Sequence, residues 1–402
     1  MLQGLTNPSK GDKRLSMLSG RALFDLSPNA LCEATARARA RGGRTLDLTE
    51  SNPTRAGIAY DETSILRAIG LRDSLRYEPA PFGLLSARTA VARELSQSGH
   101  AVDAARIVLT AGTSEAYSFL FKLLLDPGDE VLVPRPSYPL FDHLAQLESV
   151  RPVPYRLLYD GAWHVDLPSV RAAISPRTRA VVVVNPNNPT GSRLTRGELD
   201  QLAALRLPIV SDEVFAPYSL RDGGARPVSA LEAAGARLVF SLGGLSKAAA
   251  LPQMKLAWMA VAGEDELVDT ALARLEVIAD AFLSVGTPVQ HAAATLLASR
   301  GAAQSAIIQR TRANLAHLIT AVGGSPVSVL NVEAGWYAIL RLPRTQPEES
   351  WAIAFVEQDG VLVHPGHFFD FEEEAFAVVS LLTPEATLQE GIRRIVERVA
   401  LG

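Results

Sequence analysis

The residues best suited to chemistry lie close together near position 247. Arg237-Leu238-Val239-Phe240 reads as a buried strand, Gly243 and Gly244 follow it, and Lys247 stands at its exit. Lysine is scarce here: Lys10, Lys13, Lys122, Lys247 and Lys255 are the only five, and arginine supplies the other basic residues. A guanidinium keeps its proton in any protein environment, whereas a desolvated ammonium can release its own, so a lysine retained here suits a nucleophilic amine. A solvated lysine on a loop after a strand is the competing reading, and the neighbouring motifs decide between them.

Three further strand exits carry polar groups. Ala111-Gly112-Thr113-Ser114 joins a strand to a helix start, where free N–H groups and the helix dipole favour an anion such as a phosphate. A simple N-cap would look the same. The segment matches neither a Walker loop nor the G-x-G-x-x-G dinucleotide pattern. Asn185-Pro186-Asn187-Asn188-Pro189-Thr190-Gly191 follows a run of four valines, and two Asn-Pro steps are unusual as mere turn punctuation. Ser211-Asp212-Glu213 follows Pro208-Ile209-Val210 and sets a carboxylate at the edge of the core, where a lone Asp is often a helix cap.

Elements of regular period must hold these exits together. Strands are predicted at 107–110, 130–133, 180–184 and 207–210, with helices from about 113 to 125, after 140 and near 197–205. Such alternation predicts an α/β fold, a mostly parallel sheet flanked by helices, and sheets of this kind bind ligands at the carboxyl ends of their strands. This large domain is placed at residues 51–283. A helix opening at Ser27-Pro28 and ending at Gly42-Gly43 belongs to an N-terminal section, 1–50, that contributes to the small domain. Residues 284–402 mix helices with short strands near 336–342, 360–363 and 376–382, the pattern of a smaller α+β domain.

Bulk composition narrows the class. A chain of 402 residues exceeds one ordinary core, and 48% apolar with 20% charged residues describes a globular protein with ample material to bury. A formal charge of −4 gives no reason to invoke nucleic acid or an anionic membrane surface. Cys32 is the single cysteine, which excludes an internal disulfide and favours a reducing compartment. No apolar run approaches the roughly 20 residues of a membrane span, and no apolar region follows the early charges, so a cytoplasmic location is expected.

Taken in order, the Asn-Pro-x-Asn-Pro-Thr-Gly segment, Asp212-Glu213-Val214 and Gly244-Leu245-Ser246-Lys247 with Pro252 resemble the class I/II aminotransferases. These are fold-type-I enzymes that use pyridoxal 5′-phosphate, and the resemblance runs from about Ser27 to the end. It implies that Lys247 holds the cofactor as a Schiff base and shuttles a proton, while Asp212 pairs with the pyridine nitrogen. It further implies that Asn188 bonds the ring's 3′ oxygen, Tyr138 stacks on the ring, and Gly112, Thr113 and Ser114 cradle the phosphate. Tyr138 could equally be a core tyrosine. Tyr77 matches a tyrosine that reaches the phosphate from a second subunit, implying a homodimer with shared active sites.

The chain departs from the family pattern in several places. Phe215 stands where many relatives have tyrosine, so it can offer the cofactor a ring but no hydroxyl. Lys255 replaces the phosphate arginine, a point charge for a bidentate fork, and Gly244 replaces a serine. Val378, in Val378-Val379-Ser380, occupies the position of the arginine that clamps the substrate's α-carboxylate. His364 and His367 lack a third ligand cluster, so no metal site is expected, and Trp336-Tyr337 reads as a half-buried strand of the small domain. The expected activity is transfer of an amino group from an amino acid to a 2-oxo acid by a ping-pong route. The missing arginine keeps open a lyase (C–S cleavage or β-elimination) or a decarboxylase on the same fold. A cofactor-binding transcription regulator would need a DNA-binding module ahead of Ser27, where few residues are available.

Overall fold

The computed structural model describes residues 17–42, 45–221, 227–373 and 375–401. Most of the N-terminal arm expected over the first 25 or so residues, up to residue 16, therefore lies outside the described residues, as does Gly43.

After a two-residue strand, Leu46–Asp47 (β1), the large sheet is built from eight strands in chain order. They are Ile107–Thr110 (β2), Glu130–Arg135 (β3), Arg151–Tyr159 (β4), Trp163–Val165 (β5), Thr178–Val184 (β6), Ile209–Asp212 (β7), Leu238–Gly244 (β8) and Ala257–Gly263 (β9). Their spatial order is β2-β9-β8-β7-β6-β3-β4-β5. The run from β8 through β7, β6 and β3 to β4 is parallel, while β9 lies antiparallel between β2 and β8. The valines of β6 explain its central place. Val182 and Val184 pack with Tyr117 and Leu120 on one face, Val181 and Val183 with Leu199 and Leu202 on the other. A strand buried on both faces reads as a continuous apolar run rather than an alternating one.

β8 continues through Gly243 and Gly244 instead of ending at them, because β9 returns alongside and pairs Gly243 with Trp258 and Gly244 with Ala257. A Cβ at Gly243 would come within 2.6 Å of the Trp258 indole, so glycine is required by close packing. The N-terminal helix likewise starts later than expected, at Ala30, since the Asn29 side chain accepts from Cys32 N at 2.7 Å and caps it.

The smaller sheet has the order Ser328–Val329 (β10), Tyr337–Arg341 (β11), Phe376–Ser380 (β14) and His364–Pro365 (β13). Separately, β1 pairs in parallel with Val361–Leu362 (β12). Leu31 and Ala34 of the first helix join the core of this body with Trp351, Phe355, Val379 and Ile392. Helix Thr287–Ala298 lies past residue 283, yet its Val289, Ala292 and Leu296 pack with Ile65, Val91 and Leu109 beneath the large sheet. The following helix, Gly301–Val322, bridges the two bodies, with Ile307 against Trp336 and Leu318 in the small core.

Candidate active site

β7 and β8 lie side by side and parallel, the last residue of β7, Asp212, opposite Leu242 of β8, which runs two residues further. Asp212 is buried, its Oδ1 accepting the Val214 N–H at 3.2 Å and its Oδ2 the Tyr117 hydroxyl at 3.3 Å. Burial raises its pKa to about 6, against the opposing pull of those two donors and of the Lys247 charge. Lys247 sits on the four-residue helix Leu245–Ala248 directly after β8. Tyr218 donates to the Lys247 carbonyl at 2.6 Å and Gln304 to that of Ala248 at 2.6 Å, which fixes this short helix from two sides. Its Nζ lies 5.4 Å from the Phe215 ring centre and 4.9 Å from that of Trp336. Desolvation lowers the amine's pKa to about 8, opposed by the Asp212 charge. Amine and carboxylate are thus in electrostatic reach of each other, each moved toward neutrality by burial.

Tyr138 joins the same group. Burial first, then the Asp212 charge and Tyr337, push its phenol upward, and the Ser114 side chain holds it back. Its loop is braced by Asn187, whose Nδ2 donates to the Pro136 carbonyl at 3.1 Å while its Oδ1 accepts from Ser137 Oγ at 2.8 Å. Asn188, next in the chain, is buried, and its Oδ1 has no partner. Gly112 precedes helix Thr113–Leu124; the Glu115 and Ala116 N–H groups donate to the Gly112 carbonyl at 3.1 Å, and those of Thr113 and Ser114 lie ahead of the first helical bond. A Cβ at Gly112 would stand 3.4 Å from Lys255 Nζ, so this lysine adds its charge to the same helix end. Lys255 reaches there from a left-handed backbone (φ 49°).

Lys247, Asp212, Tyr138, Ser114 and Phe215 are therefore brought together, Lys255 meets Gly112, and Thr113 lies between Gly112 and Ser114. Tyr77 is not brought in: it is 77% exposed and borders a shallow groove with Pro79, Leu283 and Ser284. Trp336, expected half-buried, is fully enclosed, because its ring fills the space between Phe215 (5.4 Å) and Tyr218 (5.0 Å). The sequence reading missed Tyr117, Tyr218 and Asn187. Tyr117 had a usable signal, standing three residues after Ser114 on the helix that opens the anion site.

The family model described as aminotransferase class I and II matches residues 61–395. The chain belongs to the class I and II aminotransferases. It is 32% identical over 265 residues to an alanine aminotransferase of Mycobacterium tuberculosis (strain ATCC 25618 / H37Rv), covering 64% of this chain and 61% of the relative. This chain thus spans about three fifths of that relative's length. It is 30% identical over 279 residues to the glutamate-pyruvate aminotransferase AlaA of Escherichia coli (strain K12), covering 68% of each. In fold it is similar to an aspartate aminotransferase mutant of Thermus thermophilus, with a TM-score of 0.82 and 25% identity over 95% of this chain and 99% of that one. An alanine aminotransferase from Pyrococcus furiosus gives a TM-score of 0.85 at 23% identity, over 96% and 100% of the two chains, and shares the fold.

The cofactor of this aminotransferase family is pyridoxal 5′-phosphate. The residues present fit it: a helix N-terminus with an added ammonium for the phosphate, and a buried carboxylate for the ring nitrogen. The Asn188 amide, buried with its oxygen unpaired, and a desolvated amine complete the set of polar groups.

Proposed function

We propose that this aminotransferase moves an amino group from an amino acid to a 2-oxo acid in two half-reactions at the Lys247 site. The observation that carries the reading is the coupled pair at the exits of β7 and β8: an amine desolvated to about 8 beside a carboxylate raised to about 6. When bound, the cofactor supplies an electron sink and a temporary store for the amino group.

The protein's own groups would do the rest. Asp212, oriented by the Tyr117 hydroxyl and the Val214 N–H, would hold a proton on the cofactor's ring nitrogen. Lys247, about half neutral near pH 8, would be the base that takes the substrate's α-proton and gives it back. Tyr138 and Phe215 present aromatic surface, Asn188 an amide, and the Gly112-Thr113-Ser114 turn with Lys255 an anion seat. Sealing Lys247 between Phe215 and Trp336 excludes water from the amine.

We further propose a homodimer with shared sites. Tyr77 and Leu75 are 77% and 87% exposed, and a role for Tyr77 at a phosphate requires a second copy. No helix among the described residues is long and apolar enough to cross a membrane, and a cytoplasmic location is proposed from the single cysteine.

The test is a half-reaction. Incubation with an amino donor alone should convert the cofactor's visible absorption to that of its amine form, and a 2-oxo acid should restore it. Release of pyruvate and ammonia instead would establish a lyase and overturn the proposal.

A further inference from the structure

The segment leaving β1 runs along the wall of the lysine site. Leu48 N donates to the Leu362 carbonyl at 3.0 Å, and the Leu48 carbonyl accepts from Ser380 N at 2.7 Å. Ser380 is paired with Tyr337 across β14 and β11, so Glu50 and Ser51 follow beside Tyr337. Farther along the same segment, Ala56 and Ile58 pack into the cluster that holds Phe215 and Trp336. The Tyr337 ring lies 6.4 Å from that of Phe215, which in turn faces the Lys247 amine. The Glu50 charge also raises the Tyr337 phenol, secondary to burial, which places the carboxylate on this wall.

Glu50 is partly buried and short of partners. Its Oε1 accepts the Asn52 N–H at 2.8 Å, and among the described residues no cation pairs with it. A partly buried carboxylate with no counter-charge of its own can take one from a ligand. The wall beyond Tyr337 offers none: Val378 is fully buried with Ile339, Phe369 and Phe376. Asn188 adds a second acceptor in want of a donor, its buried Oδ1 having no partner. A carboxylate with no cation beside it, an unpaired amide oxygen and an apolar patch where a guanidinium was expected suit a ligand rich in N–H donors.

We propose that Glu50 is the specificity-determining residue of the donor site and selects amino donors bearing a second positively charged nitrogen. This rests on the amino-transfer reading above. Both basic α-amino acids and diamines carry that chemistry, and the experiment separates them.

The holoenzyme is given four donors, L-ornithine, 1,4-diaminobutane, L-norvaline and L-glutamate, and conversion of the cofactor absorption is followed as rate against concentration. Ornithine, diaminobutane or both should exceed norvaline in kcat/KM by roughly tenfold to a hundredfold, the range of one desolvated charge pair. Ornithine ahead of diaminobutane would mean that the α-carboxylate is held as well; the reverse would mean that it is not. Glu50→Gln preserves shape and the bond from Asn52, and should cut the preference for the cationic donors over norvaline by about tenfold or more. Glu50→Lys should turn the preference toward glutamate. If norvaline and glutamate convert the cofactor with no advantage to either cationic donor, or if Glu50→Gln leaves the ratio unmoved, the Glu50 proposal fails and amino transfer stands. If no donor converts the cofactor, amino transfer fails and this proposal with it.

Discussion

The amine at position 247 should titrate far below an ordinary lysine in the cofactor-free protein. Burial between Phe215 and Trp336 lowers its pKa from 10.5 to about 8. At pH 7.5 roughly a quarter of the molecules would then carry a neutral Lys247, against about one in a thousand for a solvated lysine, a gain of about two hundredfold in the reactive form. Removing the Asp212 charge takes away the one effect opposing this shift, so Asp212→Asn should move the midpoint further down. The assay is pulse labelling of the cofactor-free protein by an amine reagent from pH 6 to 11, read by mass spectrometry of the Lys247 peptide with Lys122 as the internal reference. A midpoint near 10, or an upward move in Asp212→Asn, would refute the reasoning. A linked effect has a defined sign. Between about pH 8 and 10.5 the unfolded chain holds a proton that the folded chain has released, so stability rises with pH through that window. The contribution is absent below about pH 8. For Asp212 the folded pKa lies above its ordinary value of 3.8, so its contribution falls as pH rises from about 4 to about 6.

Two other substitutions test the surroundings. Lys255→Ala should weaken cofactor retention by about tenfold or more in equilibrium dialysis, while Lys255→Arg should recover most of it, because either cation can face the Gly112 turn; equal retention in all three proteins would remove Lys255 from the anion seat. Gly243→Ala should cost about 1–3 kcal/mol by forcing a methyl group against the Trp258 indole 2.6 Å away. An unchanged melting temperature would contradict the packing described for β8 and β9.

Much of the large sheet was legible because its strands are bounded by strong punctuation. Asp126-Pro127-Gly128 marks the entry to β3, and four valines ending in Asn185-Pro186 mark β6. The antiparallel strand β9 was not legible, since Ala257–Gly263 follows Lys255 without a helix to announce it. Its presence also hid the true end of β8: glycines normally punctuate strands, and only the facing Trp258 reveals why two of them remain inside one. At the site, residues with distinctive local motifs were readable, among them Lys247, Asp212, Asn188 and the Gly112 turn. Tyr218 and Gln304 were not, because each acts on a backbone carbonyl brought near by tertiary packing, a contact no local pattern encodes. Trp336 was misjudged for a related reason. Strand alternation in the small domain says nothing of the Ala303 and Ile307 side chains that close over it from another helix.

Lys247 and Lys255 lie on the single connection between β8 and β9, whose flanking strands pair along their whole length. The two lysines proposed to hold the cofactor therefore ride on one stiff clasp, with Leu245 N tied to the Leu256 carbonyl at 2.9 Å across its neck. Displacing the clasp would carry both amines together and preserve their spacing, so a substitution that shifts one of them would be felt at the other.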